Sequence, residues 1–176
     1  MNKERKMEFR KATLSDANCI LEIIRQAQAY LKSQGINQWQ NNYPNLETIQ
    51  KDIQEQIGYV LVKDGIVLGT VAVSFDGEKN YDQIYQGEWK SNQAYAVVHR
   101  IAVREEYKGQ GLSSIIMDRI EEMCRERGVY SIKIDTHEEN QSMQNFLKKS
   151  GFEYCGIIYL TDQSKRIAFE KILDKI

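Results

Sequence analysis

Lys108, Gly109, Gln110 and Gly111 are the residues of this 176-residue chain whose types and spacing carry chemistry. They follow an apolar, β-branched run of Val97, Val98, Ile101, Ala102 and Val103. They lead into Leu112, Ile115, Ile116, Ile120 and Met123 at helical spacing. A strand, a charged turn (Arg104 to Lys108) and a helix start, in that order, gather free backbone N–H groups at the positive end of a helix dipole. That arrangement is an anion site. The two glycines let the backbone approach a ligand closely and take dihedrals that other residues avoid. Lys108 adds a full positive charge, so the expected ligand group is a pyrophosphate.

The remaining elements must hold this turn in place. Met7 to Ala12 alternates weakly and predicts a first strand. Thr13 or Ser15 caps a helix carrying Ile20, Ile23, Ile24, Ala27 and Leu31, with Gly35 as its stop. The segment 36–44, INQWQNNYP, is polar, aromatic and irregular. Asn45 caps a second helix carrying Leu46, Ile49, Ile53 and Ile57, closed by Gly58. Strands over 59–62 and 66–75 join at Asp64-Gly65, a hairpin signal. A polar loop over 76–93 contains Tyr81, Tyr85 and Trp89. A strand over 95–103, a helix over 112–127 and a strand over 130–135 form one strand–helix–strand unit. A helix over 140–150 and two strands over 152–160 and 167–172 complete the chain. The fold class is mixed α/β (α+β): a single domain over 1–176, with its core at about 7–173 and a mostly antiparallel central sheet flanked by helices.

Composition bounds the function. Apolar residues make up 41% and charged residues 28%, an ordinary globular balance. A formal net charge of -1 gives no bulk field to hold nucleic acid, so any anion site is local. Cys19, Cys124 and Cys155 are scattered, with no CxxC pattern, which fits free thiols in a reducing compartment and predicts no metal site. Cys19 and Cys124 fall on or beside apolar helix faces and are expected to be buried. No signal peptide or bilayer-spanning run is visible, so the expectation is a soluble, cytoplasmic protein without a membrane partner. A homodimer is left open.

A P-loop would need GxxxxGK[ST], which is absent. A dinucleotide fingerprint is matched in part by Gly109, Gly111 and Ser114, with Asp135 where a ribose-binding acid would sit. However, the match lies mid-chain behind hairpins. The fuller match is VVHRIAVREEYKGQGLSSIIM followed by NQSMQNFLKKSGF, which resembles the acyl-CoA-binding motif of GCN5-related N-acetyltransferases. That family carries a [Q/R]xxGx[G/A] turn after a central strand, then an Asn-containing helix ending in Gly-Phe. Here the turn reads Lys108, Gly111, Ser113, and the later helix contributes Asn140 and Gly151-Phe152.

The resemblance implies N-acetyl transfer from acetyl-CoA to a primary amine of a small molecule or peptide, by direct attack in a ternary complex. It implies that Ile101, Ala102 and Val103 pair with pantetheine. The turn Lys108, Gly109, Gln110, Gly111, Leu112, Ser113 and Ser114 would hold the pyrophosphate, and Asn140 would sit near the pantetheine arm. Asn140 is equally a helix N-cap. Many members place a Tyr acid four residues before the Gly-Phe pair. Leu147 stands there instead, which raises the alternative of a catalytically lapsed acyl-CoA-binding or sensing module. A protonated amine cannot attack, so a base is needed, and His99, Asp135 and His137 are the candidates. Alternation puts His99 on the face of Ile101. The acceptor wall is expected at Trp39 and Tyr43, with the 76–93 loop as a second wall.

Overall fold

The computed structural model describes residues 7–175. Strands β1 (Glu8–Lys11), β2 (Gly58–Lys63) and β3 (Ile66–Ser74) pair antiparallel in that order. The β2–β3 turn holds Asp64 at φ 54° and Gly65 at φ 75°. Two left-handed residues in succession give a hairpin turn whose twist matches that of the flanking strands. Helix α1 (Ala17–Ser33) follows a 3-10 turn, Leu14–Asp16, that Thr13 and Asp16 cap reciprocally. Helix α2 (Leu46–Gln54) starts at Asn45, whose side chain accepts from the Thr48 N–H at 3.1 Å. Then come β4 (Ala96–Val103), α3 (Leu112–Glu126), β5 (Ser131–Thr136), α4 (Gln141–Lys149), β6 (Glu153–Tyr159) and β7 (Lys165–Ile172).

The seven strands run in the order β1-β2-β3-β4-β5-β7-β6. The β4–β5 pair is parallel, with Ala96 opposite Ile132 and Val97 opposite Lys133. β7 lies antiparallel between β5 and β6. This is the mixed, mostly antiparallel sheet expected from the hairpins and the single strand–helix–strand unit.

By packing density the chain forms two units. One runs through Val73 and resumes over His99–Arg119; its core gathers Ile20, Ile23, Ile24, Ile49, Val60, Val67 and Ala102. Close approach is built in: a Cβ on Gly69 of β3 would stand 2.8 Å from Ile116 Cδ1. The other comprises Ser74–Val98 and the chain from Ile120 onward. Its apolar cluster of Tyr81, Val97, Ile158 and Ala168 is flanked by Ile84, Trp89, Tyr95 and Leu160.

Four local expectations are corrected. Helix α2 stops at Gln54, because Gln56 turns left-handed (φ 58°) and the Ile57 carbonyl accepts from Val73 N–H at 2.8 Å. Gly58 therefore opens β2 and does not close the helix. The 76–93 loop contains a 3-10 turn, Lys79–Tyr81. Cys19 is exposed, since the buried stripe of α1 runs through Ala17, Ile20, Ile23, Ile24 and Leu31 and misses it. Finally, Arg100 sits at φ 53° within β4. A left-handed residue breaks the period-two alternation, so the face of His99 cannot be read from that of Ile101.

Candidate active site

In the first unit, β4 ends at Val103 and the turn is stitched down at once. Arg104 N–H donates to the Leu68 carbonyl at 2.8 Å, and Arg104 Nε donates to Val67 O at 2.9 Å. Its guanidinium also meets Glu22 Oε1 at 3.3 Å. Glu105 N–H donates to Gln26 Oε1 at 2.8 Å, and Gln26 Nε2 donates to Glu106 at 3.3 Å. Lys108 Nζ lies 4.4 Å from the Tyr30 ring centroid. Glu22, Gln26 and Tyr30 follow one another at four-residue spacing on α1, so one helix face holds the whole turn. The turn-anchoring face had a signal in that spacing, but its partner could not be read from it.

Gly109 (φ 81°) and Gly111 (φ 74°) are both left-handed, and a Cβ on either would meet no atom within 4 Å. The glycines are there for their dihedrals and for the open space beside them, not to avoid a clash within the protein. Ile115 N–H donates to Gly111 O at 3.1 Å and starts α3. The amides of Leu112, Ser113 and Ser114 belong to the first turn, which has no helical acceptors. Gly109, Gln110 and Gly111 are exposed, while Leu112 is buried and anchors the helix start. The result is an exposed turn with two left-handed glycines, first-turn amides that lack helical acceptors and one lysine, groups of the kind that bind a pyrophosphate.

Arg100, the left-handed residue of β4, makes a two-point ion pair. Its Nε donates to Asp52 Oδ2 at 2.7 Å, and its NH2 donates to Oδ1 at 2.6 Å. Arg100 NH1 reaches the Tyr43 hydroxyl at 3.3 Å. Burial, with the Arg100 charge second, lowers His99 from 6.5 to about 4. Trp39 packs partly buried against the core of this unit, and Tyr43 is exposed. The irregular segment is tied to α1 by Gln28 Nε2, which donates to Pro44 O at 2.9 Å.

In the second unit, Ser131, Lys133 and Asp135 alternate along one face of β5, and each is engaged. Tyr81, 3% exposed, donates its hydroxyl to Asp135 Oδ2 at 2.6 Å. Trp89 Nε1 donates to Tyr81 O at 2.9 Å, and the two rings lie 5.2 Å apart. Lys133 Nζ sits 4.3 Å from the Trp89 centroid and 4.0 Å from that of Tyr95. Glu170 on β7 stands opposite Lys133. Its carboxylate accepts from Lys90 N–H, Ser91 Oγ and Ser131 Oγ, each at 2.7 Å. Burial raises Asp135 above its ordinary value, against the Tyr81 hydrogen bond and the Arg166 charge, which lower it. Burial lowers Lys133 and outweighs the opposing Glu170 charge.

His137 Nδ1 accepts from Glu139 N–H at 3.0 Å, so the neutral ring carries its proton on Nε2. Burial and Arg166 lower its pKa. Asn140 is 7% exposed, and its Oδ1 accepts from Met143 N–H at 3.1 Å, the N-cap of α4. Leu147 is fully buried. Tyr81 and Trp89 were visible in the sequence only as loop aromatics; their partner on β5 lies dozens of residues away.

No helix among the described residues is long and apolar enough to cross a membrane. Residues 22–152 match the model of the Acetyltransferase (GNAT) family. A GNAT-family acetyltransferase of Streptococcus agalactiae 2603 has a crystal structure of TM-score 0.87 to this chain. It is 33% identical and covers 96% of both chains. The S-alkylcysteine N-acetyltransferase of Bacillus subtilis (strain 168) is 26% identical over 114 residues, which is 65% of this chain and 58% of that protein. The PaiA N-acetyltransferase of Thermoplasma acidophilum, solved in complex with coenzyme A, shares the fold. Its TM-score is 0.70 at 16% identity, covering 95% of this chain and 99% of that one.

Proposed function

This chain belongs to the acetyltransferase (GNAT) family, and from that premise we propose that it transfers the acetyl group of acetyl-CoA directly to a primary amine in a ternary complex. One observation carries the cofactor side of this reading. Two left-handed glycines open a turn of free amides beside Lys108 at the start of α3. Lys108, Gly109, Gln110, Gly111, Leu112, Ser113 and Ser114 would hold the pyrophosphate of coenzyme A. Ile101, Ala102 and Val103 would offer backbone groups to the pantetheine arm, with Asn140 near it. The family match takes in parts of both packing units, which supports one transferase domain. The free thiols support a reducing, cytoplasmic setting.

In the reaction, the amine lone pair attacks the thioester carbonyl carbon, the C–S bond breaks, and the amine proton passes to a base. Asp135 is the best supported of the three candidates. Its carboxylate is fixed by the Tyr81 hydroxyl at 2.6 Å, and burial shifts it upward, the direction that favours a base. His99 is shifted the opposite way, to about 4, by burial and the Arg100 charge, which weakens it as a base. His137 spends its free ring nitrogen on the Glu139 amide. Leu147 is core, so the leaving thiolate departs without an acid at that position; thiols are acidic enough for this. Tyr43 and the Trp39 segment are the proposed acceptor wall.

The acceptor is an amine on a small molecule or peptide. The S-alkylcysteine enzyme makes S-methylcysteine the first acceptor to try. The test is thiol release from acetyl-CoA with a panel of S-methylcysteine, alanine amide, lysine amide and an alanine-initiated peptide. Turnover that Asp135→Asn reduces a hundredfold or more supports the reading. Tight coenzyme A binding with no turnover on a broad panel would favour the lapsed, sensing alternative that Leu147 suggests.

A further inference from the structure

We propose that Trp89 and Tyr81 form a clamp that grips the Asp135 carboxylate by one oxygen and so fixes the direction of the other. This rests on the reading of Asp135 as the proton acceptor and adds two positioning residues to it. The geometry is a chain of directed contacts within one packing unit. Glu170 fixes the backbone at Lys90 and the side chain of Ser91. That places the neighbouring Trp89 ring over the Lys133 ammonium, 4.3 Å from its centroid. The Trp89 indole N–H then holds the Tyr81 carbonyl at 2.9 Å, and the Tyr81 hydroxyl holds Asp135 Oδ2 at 2.6 Å.

An apolar loop would only need covering. This one spends a buried carboxylate, a buried ammonium and an indole N–H on setting one phenol. Buried polar groups of this kind fix a unique arrangement, because each loses its partner if the loop slips. A carboxylate held by one short bond at Oδ2 cannot rotate freely, so Oδ1 keeps a defined direction. The other charged groups that bear on Asp135 are Glu78 beside Tyr81 and Arg166 on β7; Lys133 stands two residues before it on β5 and His137 just past the end of the strand.

The clamp is tested on the full chain with Asp carboxyl carbons labelled, titrated by NMR, the Asp135 signal being assigned from its loss in Asp135→Asn. Tyr81→Phe keeps the ring and removes the donor. Its loss raises the pKa of Asp135 by about one pH unit, the tenfold change that a hydrogen bond to a charged group carries. Trp89→Phe moves it in the same direction by less, and calorimetric coenzyme A affinity stays within twofold in both. The acid limb of kcat/KM for thiol release on the amine panel moves upward with the carboxyl. An Asp135 titration identical in Tyr81→Phe and the natural chain overturns the clamp. An unmoved titration in Trp89→Phe removes Trp89 from it. If the carboxyl moves and the acid limb does not, the clamp stands and the proton-acceptor reading of Asp135 falls.

Discussion

Alanine at Gly111 is the sharpest perturbation the turn allows, because structure and function make different demands there. Gly109, Gly111 and Gly128 are all left-handed, at φ 81°, 74° and 68°, and none has an atom within 4 Å of where a Cβ would be. Gly111 precedes the first residue of α3 and Gly128 follows its last turn. Holding an alanine in the left-handed region costs about 1–2 kcal/mol, with no steric addition. At about 2–4 °C per kcal/mol for a chain of this size, each substitution lowers Tm by several degrees. The three variants are therefore nearly equal in stability loss. They differ in ligand binding. A methyl group at Gly109 or Gly111 stands in the open side of the amide turn and keeps a diphosphate from close approach, which should weaken coenzyme A by tenfold or more, about 1.4 kcal/mol. Gly128→Ala should bind as the natural chain does. Scanning calorimetry gives the first comparison and isothermal titration with coenzyme A the second. Equal affinity in all three variants would refute the cradle, however well they fold.

Other substitutions probe the elements around the turn. Leu147→Tyr forces extra volume into a fully buried site and should cost about 1–3 kcal/mol, read as a lower urea midpoint, with no gain in kcat. A rise in kcat would mean that an acid had been missing at that position. Arg100→Ala strands Asp52 in a largely buried place and should cost about 3 kcal/mol or more. Arg100→Gly should recover about 1–2 kcal/mol of that loss, because glycine accepts the φ of 53°; equal losses would show that the backbone at this position is not strained. For His99, the folded pKa of about 4 lies below the ordinary 6.5, so the unfolded chain binds a proton that the folded chain refuses. Stability should therefore fall as pH drops from 6.5 toward 4, by up to about 1.4 kcal/mol per pH unit, and level off below. His99→Asn should flatten that part of the curve in equilibrium denaturation; an unchanged slope would place the proton uptake elsewhere.

The sequence by itself determined whatever local chemistry decides. Gly109 and Gly111, Asp64-Gly65, Asn45 and Asn140 announce a turn, a hairpin and two caps, because each acts on backbone within three or four residues. The left-handed glycine turn and the order of strands and helices were legible for that reason. Where a local rule had a local competitor, the reading slipped. Gln56 took the left-handed stop expected of Gly58, and Arg100 interrupted the alternation that was to orient His99.

Only the tertiary structure decided which side chains meet. Arg100 with Asp52, Gln26 with Glu105, Glu170 with Ser91, and Tyr81 with Asp135 are pairs separated by dozens of residues. Their geometry depends on which strands become neighbours. The same hydroxyl or carboxylate would look like surface decoration in the sequence, since burial converts it from a solvated group into one that must be hydrogen-bonded. The glycine turn is thus a property of a short peptide stretch, while the environment of each candidate base is a property of the folded sheet.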